Sequence, residues 1–223
     1  MFLIDFRMMK RPKVEDIFKD KKIILEIQDK LPKLFRIAEI ESSRNGKMGM
    51  EVGTMREKII IALLIHKFGE QSVDAKIPIT EPETDVILDK NEISIKTISG
   101  DINGIKAIWT VDGEKARNFI DTYQSKCDLI MVQICWGTSK GGFFLIPLSV
   151  QKEVFSQIGK EKYFKMPKLG TNPRGVEFSK EAVLKMIEHK NTKNIQIKWD
   201  KGNIDYDIYE KWVDYWSGKE KIN

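Results

Sequence analysis

Residues 83–97, ETDVILDKNEISIKT, hold two short runs of β-type residues on either side of a polar turn. Side chains alternate along a strand, so Glu92, Ser94 and Lys96 share one face while Ile93, Ile95 and Thr97 share the other. An antiparallel hairpin is expected, with its apolar face toward a core. A turn through Lys90 and Asn91 pairs Asp89 with Glu92, sets Ile87 opposite Ser94 and brings Asp85 opposite Lys96. Directly opposed residues lie about 5 Å apart, so a carboxylate and an ammonium would meet in one small volume. A one-residue slip of register would part them. A buried hairpin needs neither charge, which makes the pair a candidate site.

The flanking periodicities set this hairpin in a larger frame. TMREKIIIALLIHKFG (54–69) reads as a helix opened by Thr54 and closed by Gly69. Three strands are expected next, around 75–79, 84–88 and 92–97, with Pro78 and Pro82 restricting the first connection. Residues 112–126 have helical periodicity, and CDLIMVQICW and FFLIPL are strands joined by the turn GTSKGG. The order is α, β, β, β, α, β, β. Upstream, Ile17, Ile24, Ile27, Leu31, Leu34 and Ile37 predict two short helices interrupted by Pro32, followed by a Gly-rich basic loop at 42–53. Downstream come a helix at 149–158, a Pro/Gly loop at 165–175, a helix near 179–190, the strand IQIKW and a last aromatic helix, YEKWVDYW.

Hydrolysis of a phosphodiester needs a volume of the kind the hairpin supplies. Mg²⁺ held by carboxylates can activate a water and stabilise the pentavalent phosphate, while a Lys orients that water or offsets charge. On these residues and this element order, the stretch from about 54 to 147 resembles the PD-(D/E)xK nucleases, the superfamily that contains most type II restriction endonucleases. The resemblance implies an α/β fold: a restriction-endonuclease-like core with a mixed central sheet flanked by helices, here with N-terminal helical and C-terminal α/β additions. It divides the chain into N-terminal helices and basic loop (1–53) for dimerisation or DNA contact, a nuclease core (54–148), and an appendage (149–223) for DNA recognition.

Two positions depart from the family pattern. Pro82-Glu83-Thr84-Asp85 stands where Pro-Asp is usual, and Ser94 stands where an acid is usual two residues before the Lys. Glu92 is a poor substitute, since four residues span about 13 Å along a strand. Glu57, on the helix that precedes the sheet, and Glu83 are the candidates to complete a metal site with Asp85; Gln133 on the fourth strand can also face it. Each has a blander reading. Asp85 and Lys96 could form an exposed ion pair worth less than about 1 kcal/mol. Glu57 could close a Thr-x-x-Glu capping box with Thr54, and Ser94 could be a small polar strand residue.

Composition narrows the alternatives. A chain of 223 residues with 41% hydrophobic and 32% charged residues is expected to be globular, and a net charge of +5 favours a polyanionic partner. Cys127 and Cys135 lack CxxC spacing, which argues against a disulfide framework or thiolate zinc site and for a cytoplasmic protein. The N-terminus has the wrong order for a signal peptide, and no apolar run approaches a membrane span. His66 and His189 lie in no catalytic motif. No phosphate-binding glycine motif joins a strand to a helix, so no nucleotide cofactor is expected.

Three regions are candidates to contact DNA. Ser99, Asn103, Lys106 and Trp109 follow the catalytic Lys, where a nuclease of this fold meets the backbone. Arg44, Asn45 and Lys47, with Met48 or Met50 at the tip, could present cations and an apolar wedge to the minor groove. Lys165, Lys168, Thr171, Asn172 and Arg174 are types able to bond base edges in the major groove. Trp212, Tyr215 and Trp216 instead suit a packing face.

The expectation is a Mg²⁺-dependent type II restriction endonuclease that cuts double-stranded DNA at a short palindrome, leaving 5′-phosphate and 3′-hydroxyl ends. It would act as a homodimer beside a cognate DNA methyltransferase. Over its whole length the chain looks like the small ThaI-type restriction enzymes, a resemblance that implies a CG-rich site. A Holliday-junction resolvase, a repair nuclease or a non-catalytic DNA-binding protein on a decayed nuclease core are the alternatives.

Overall fold

The computed structural model describes residues 11–44, 47–49, 51–78, 81, 83–165 and 175–219. A 3₁₀ turn, Val14–Lys19, leads into α1 (Lys21–Glu41), whose first N–H groups are capped by Asp20. Ile23, Ile27, Leu31 and Phe35 repeat every fourth residue and are buried along one face of α1. That stripe explains why one continuous helix runs through Pro32 where two were expected. A mid-helix proline costs about 3 kcal/mol, whereas each large apolar side chain gains roughly 1.5–3 kcal/mol on burial.

Where a loop was expected, Ser43–Arg44 (β1) and Lys47–Met48 (β2) pair as a small antiparallel hairpin. α2 (Val52–Phe68) then starts upstream of Thr54. Thr54 therefore lies inside the first turn, and Thr54-x-x-Glu57 is no capping box. Gly69 ends α2 with φ +83, a left-handed conformation that glycine adopts without strain.

The strand expected at 75–79 is replaced by β3 (Val73–Asp74), and residues 75–78 carry no strand. Pro78 removes a ladder donor there. β4 (Val86–Leu88) and β5 (Asn91–Ser99) form the hairpin, and the unforeseen β6 (Ile105–Ile108) follows. α3 (Gly113–Thr122), capped by Asp112, leads to β7 (Asp128–Ile134) and β8 (Gly141–Ile146). Then come α4 (Leu148–Ile158), α5 (Lys160–Tyr163), β9 (Phe164–Lys165), β10 (Val176–Phe178), α6 (Lys180–Glu188), β11 (Lys193–Gln196) and α7 (Glu210–Trp216).

The central sheet runs β11-β8-β7-β5-β4-β3, with β5 and β7 parallel and every other pair antiparallel. A second sheet, β6-β10-β9, is antiparallel throughout. Alternation along β7 supplies two cores. Ile130, Val132 and Ile134 join Ile93, Ile95 and Phe143 against α1 and α2. Leu129 and Met131 join Phe144 and Ile146 against α3, α4 and α6. Residues after 148 are woven into this frame, because β11 extends the central sheet while β9 and β10 pair with β6. α7 differs from its expected role as a packing face, since Trp216 is 94% and Trp212 55% exposed. Among the described residues no helix is long and apolar enough to cross a membrane.

Candidate active site

The β4–β5 hairpin turns through Asp89 and Lys90, both at positive φ, and pairs Leu88 with Asn91, Ile87 with Glu92 and Val86 with Ile93. The expected register, which set Ile87 opposite Ser94, is thus two residues off. One further step along the observed ladder sets Asp85 beside Ser94, and the Asp85 N–H donates to the Ile93 carbonyl at 3.0 Å. A shift of two preserves the face, because strand side chains repeat every second residue. Lys96 is therefore a diagonal neighbour of Asp85, and its long stem closes the gap.

Three donors converge on one carboxylate oxygen. Asp85 Oδ2 accepts from Ser94 Oγ at 3.2 Å, from the Ile95 N–H at 2.5 Å and from Lys96 Nζ at 3.4 Å. Oδ1 accepts no hydrogen bond among the described residues. Ser94, standing where the family places an acid, thus orients the Asp85 carboxylate. The two charged side chains are each about one-fifth exposed, so the pair is neither fully solvated nor sealed.

Two glutamates flank this pair in unlike settings. Glu57, from α2, lines a cleft of about 600 Å³ together with Asp85, Thr84 and Glu81. Burial pushes the Glu57 carboxyl above its ordinary pKa, and the Asp85 charge pushes it further. Its carboxylate accepts no hydrogen bond among the described residues. Glu83 lines a cavity of about 20 Å³ with Ser94, Lys96, Phe119 and Tyr123, room for a single water. Burial raises the Glu83 pKa too, against the opposing pull of Lys126 and Lys96. Glu92, engaged by Thr84 Oγ1 at 3.1 Å, stays outside. The buried Cys127 thiol is pushed up to about 12, first by burial and then by Glu83 and Asp85.

Among the described residues no group of three or more His, Cys, Asp or Glu side chains forms a ready-made metal cage. The residues nevertheless fit Mg²⁺, which is commonly held through one or two carboxylates, with water and substrate phosphate filling the remaining positions. Asp85 and Glu57, which line the same cleft, offer that donor set, and a cation between them would relieve the repulsion that the Asp85 charge exerts on Glu57.

The remaining candidates divide. Gln133 donates to the Gly100 carbonyl at 3.0 Å, and Ser99 Oγ accepts from Arg56 at 3.0 Å, so both are engaged within the protein. Lys106 is paired with Glu177 at 3.0 Å and lies 4.9 Å from the centre of the Trp109 ring. Lys165 shares Glu177 at 3.3 Å. Asn103 and Lys47 are exposed, as is Trp109. Asn45, Met50, Lys168, Thr171, Asn172 and Arg174 lie outside the described residues, and for Arg44 and Met48 only the backbone is described. His66 and His189 pair with Glu26 and Glu153, remote from Asp85 in sequence and site. Sequence reasoning passed over the hydrogen-bonded group of buried Arg56 and Glu39 with half-buried Trp136, because nothing in its spacing announces contacts between residues 17 and 97 positions apart.

A mixed sheet between helical layers, with an Asp at the start of one strand paired to a Lys on its neighbour and lining a cleft together with a Glu from the adjoining helix, defines a restriction-endonuclease-like nuclease. The family model for restriction endonuclease ThaI matches residues 17–218. The chain belongs to that family. A solved structure described as a restriction endonuclease in complex with substrate DNA matches with a TM-score of 0.85 and 52% identity, covering 92% of this chain and 98% of that one. No curated protein matches.

Proposed function

We propose that this restriction endonuclease hydrolyses phosphodiester bonds of double-stranded DNA at a short, CG-rich palindrome, using Mg²⁺ and leaving 5′-phosphate and 3′-hydroxyl ends. The observation that carries the reading is the convergence of Ser94, Ile95 and Lys96 on Asp85 Oδ2, while Asp85 and Glu57 line one cleft. Asp85 and Glu57 hold the metal. When bound, Mg²⁺ supplies an activated water and neutralises charge developing on the scissile phosphate. Lys96 orients the attacking water and offsets the negative charge that a phosphate brings to two carboxylates. Ser94 and the Ile95 N–H fix the Asp85 carboxylate so that little reorganisation accompanies metal binding. Glu57 is preferred to Glu83 because it lines the roomier cleft, about 600 Å³ against about 20 Å³, and shares it with Asp85.

A palindrome presents two equivalent phosphodiesters, so the active species is a homodimer. The β1–β2 hairpin, with exposed Lys47, contacts DNA together with Asn103 and Trp109. A cognate methyltransferase in the same cytoplasm protects the host sites.

The test is incubation of the purified protein with a long DNA of known sequence, in Mg²⁺ and in EDTA, read on a gel. Discrete Mg²⁺-dependent fragments are expected, and their ends give the site. A smear would replace the reading with a less selective nuclease. Intact linear DNA with cleavage of branched DNA would replace it with a resolvase.

A further inference from the structure

The buried charge that this chemistry leaves unused is the guanidinium of Arg56, on α2 immediately before Glu57. Arg56 is 3% exposed. Its two terminal nitrogens donate to Glu39 Oε1 at 2.7 Å and to Ser99 Oγ at 3.0 Å, and the group lies 5.5 Å from the centre of the Phe35 ring. The same Glu39 oxygen accepts from Trp136 Nε1 at 2.8 Å. One point therefore ties α2 to α1, to the carboxyl end of β5 and to the segment after β7. Burying a guanidinium is costly before its partners offset it, and a Met would fill this site without that cost. What the charge adds is direction, since its planar fork holds partners at fixed angles.

Direction matters here because of the neighbours. Ser99 lies three residues beyond Lys96 on β5, about 10 Å along the strand. An α2 held to Ser99 through Arg56 cannot roll about its axis against β5, and rolling is the motion that would carry Glu57 away from Asp85. The same knot closes the base of the β1–β2 hairpin. Ser43 Oγ donates to the Glu39 carbonyl at 2.7 Å, and Ser42 Oγ contacts Met55 Sδ at 3.1 Å.

We propose that Arg56 is a positioning residue that fixes the rotation of α2 and thereby holds Glu57 at the metal-binding carboxylate of Asp85. The inference rests on the metal-binding roles proposed above for Asp85 and Glu57.

The test titrates Mn²⁺ into the whole protein by calorimetry for Arg56→Met, Arg56→Lys, Ser99→Ala, Glu57→Gln and the Arg56→Met/Glu57→Gln double variant. Thermal unfolding and the Mg²⁺ concentration giving half-maximal cleavage are measured in parallel. Arg56→Met is expected to weaken Mn²⁺ binding about ten-fold, the low end for groups that support metal ligands. Ser99→Ala and Arg56→Lys should weaken it less, in the same direction. The double variant should bind no more weakly than Glu57→Gln alone, because Arg56 acts only through Glu57. Wild-type Mn²⁺ affinity in a folded but less stable Arg56→Met protein would make Arg56 merely structural and overturn the inference, as would additive losses in the double variant. Should Arg56→Met fail to fold, unchanged affinity in both Ser99→Ala and Arg56→Lys overturns it equally. Unchanged affinity in Glu57→Gln removes instead the underlying assignment of Glu57 to the metal, a failure that this variant alone identifies.

Discussion

Lys96 and Lys106 are ten residues apart, each is bonded to a carboxylate, and they stand in opposite electrostatic settings. Lys106 shares Glu177 with Lys165, so two cations surround one acid. Burial pushes the Glu177 carboxyl up, but the hydrogen bonds and charges of the two lysines hold it below its ordinary pKa. Around Lys96 the imbalance reverses. Asp85 is in contact, Glu57 and Glu83 are near enough to feel the Lys96 charge, and both glutamates are pushed up. An ion pair alone therefore identifies nothing. An excess of partly buried acid beside an open cleft marks the place where a cation is still wanted.

Asp85→Asn tests that contrast most severely. It removes one negative charge from the acid-rich site while keeping its size, so cleavage should fall by more than about a hundred-fold, the scale for a group that stabilises charge at a reaction centre. DNA affinity in a filter or gel-shift assay should be kept. Cleavage at a wild-type rate would dissolve the distinction between the two lysine pairs. Lys96→Ala is expected to cost on the order of a hundred-fold as well, with the unfolding midpoint shifted little. A protein that instead fails to fold would make Lys96–Asp85 a structural staple like its counterpart.

Glu57→Gln against Glu83→Gln sharpens the comparison within the acidic site. Glu57→Gln should raise the Mg²⁺ needed for half-maximal cleavage by about ten-fold, whereas Glu83→Gln should leave that requirement close to wild type. The reverse ranking would move the metal to the Glu83 side of the sheet.

The acidic site was legible in sequence for a reason that also explains what was misread. Across a hairpin a register error of one residue changes the shared face and an error of two keeps it, so Asp85 stayed with Ser94 and Lys96 although the register was two residues off. Parity is read from one strand, while register depends on the turn, and Asp89 at positive φ is a choice its residue type permits without dictating. Glu57 was ambiguous because Thr54-x-x-Glu57 matches a capping box, and only the start of α2 at Val52 removes that reading. Pro32 misled in the opposite sense, since a local rule was overridden by a buried stripe visible only once α1 packs on the sheet. The second sheet was missed because β6, β9 and β10 are each four residues or fewer, too short for alternation to stand out. For the same reason Lys106 read as a loop cation, whereas β10 sets Glu177 directly opposite it.

The smallest expected effect lies at that second pair. Glu177→Gln should leave cleavage unchanged and lower stability by about 1 kcal/mol or less, since exposed and half-exposed pairs contribute little. The pH dependence gives the effect its signature. A carboxylate whose folded pKa is depressed contributes stability above its unfolded pKa, about 4.3 for Glu, and loses it as the pH falls through the lower folded value. Urea unfolding of wild type and Glu177→Gln should therefore differ at neutral pH and converge in acid below the carboxylate range. A difference that persisted in acid would mean that Glu177 acts through packing against β6 and β9. A variant that lost cleavage at neutral pH while keeping its stability would place Glu177 in the chemistry, and the division between a cation-rich staple and an acid-rich site would have to be redrawn.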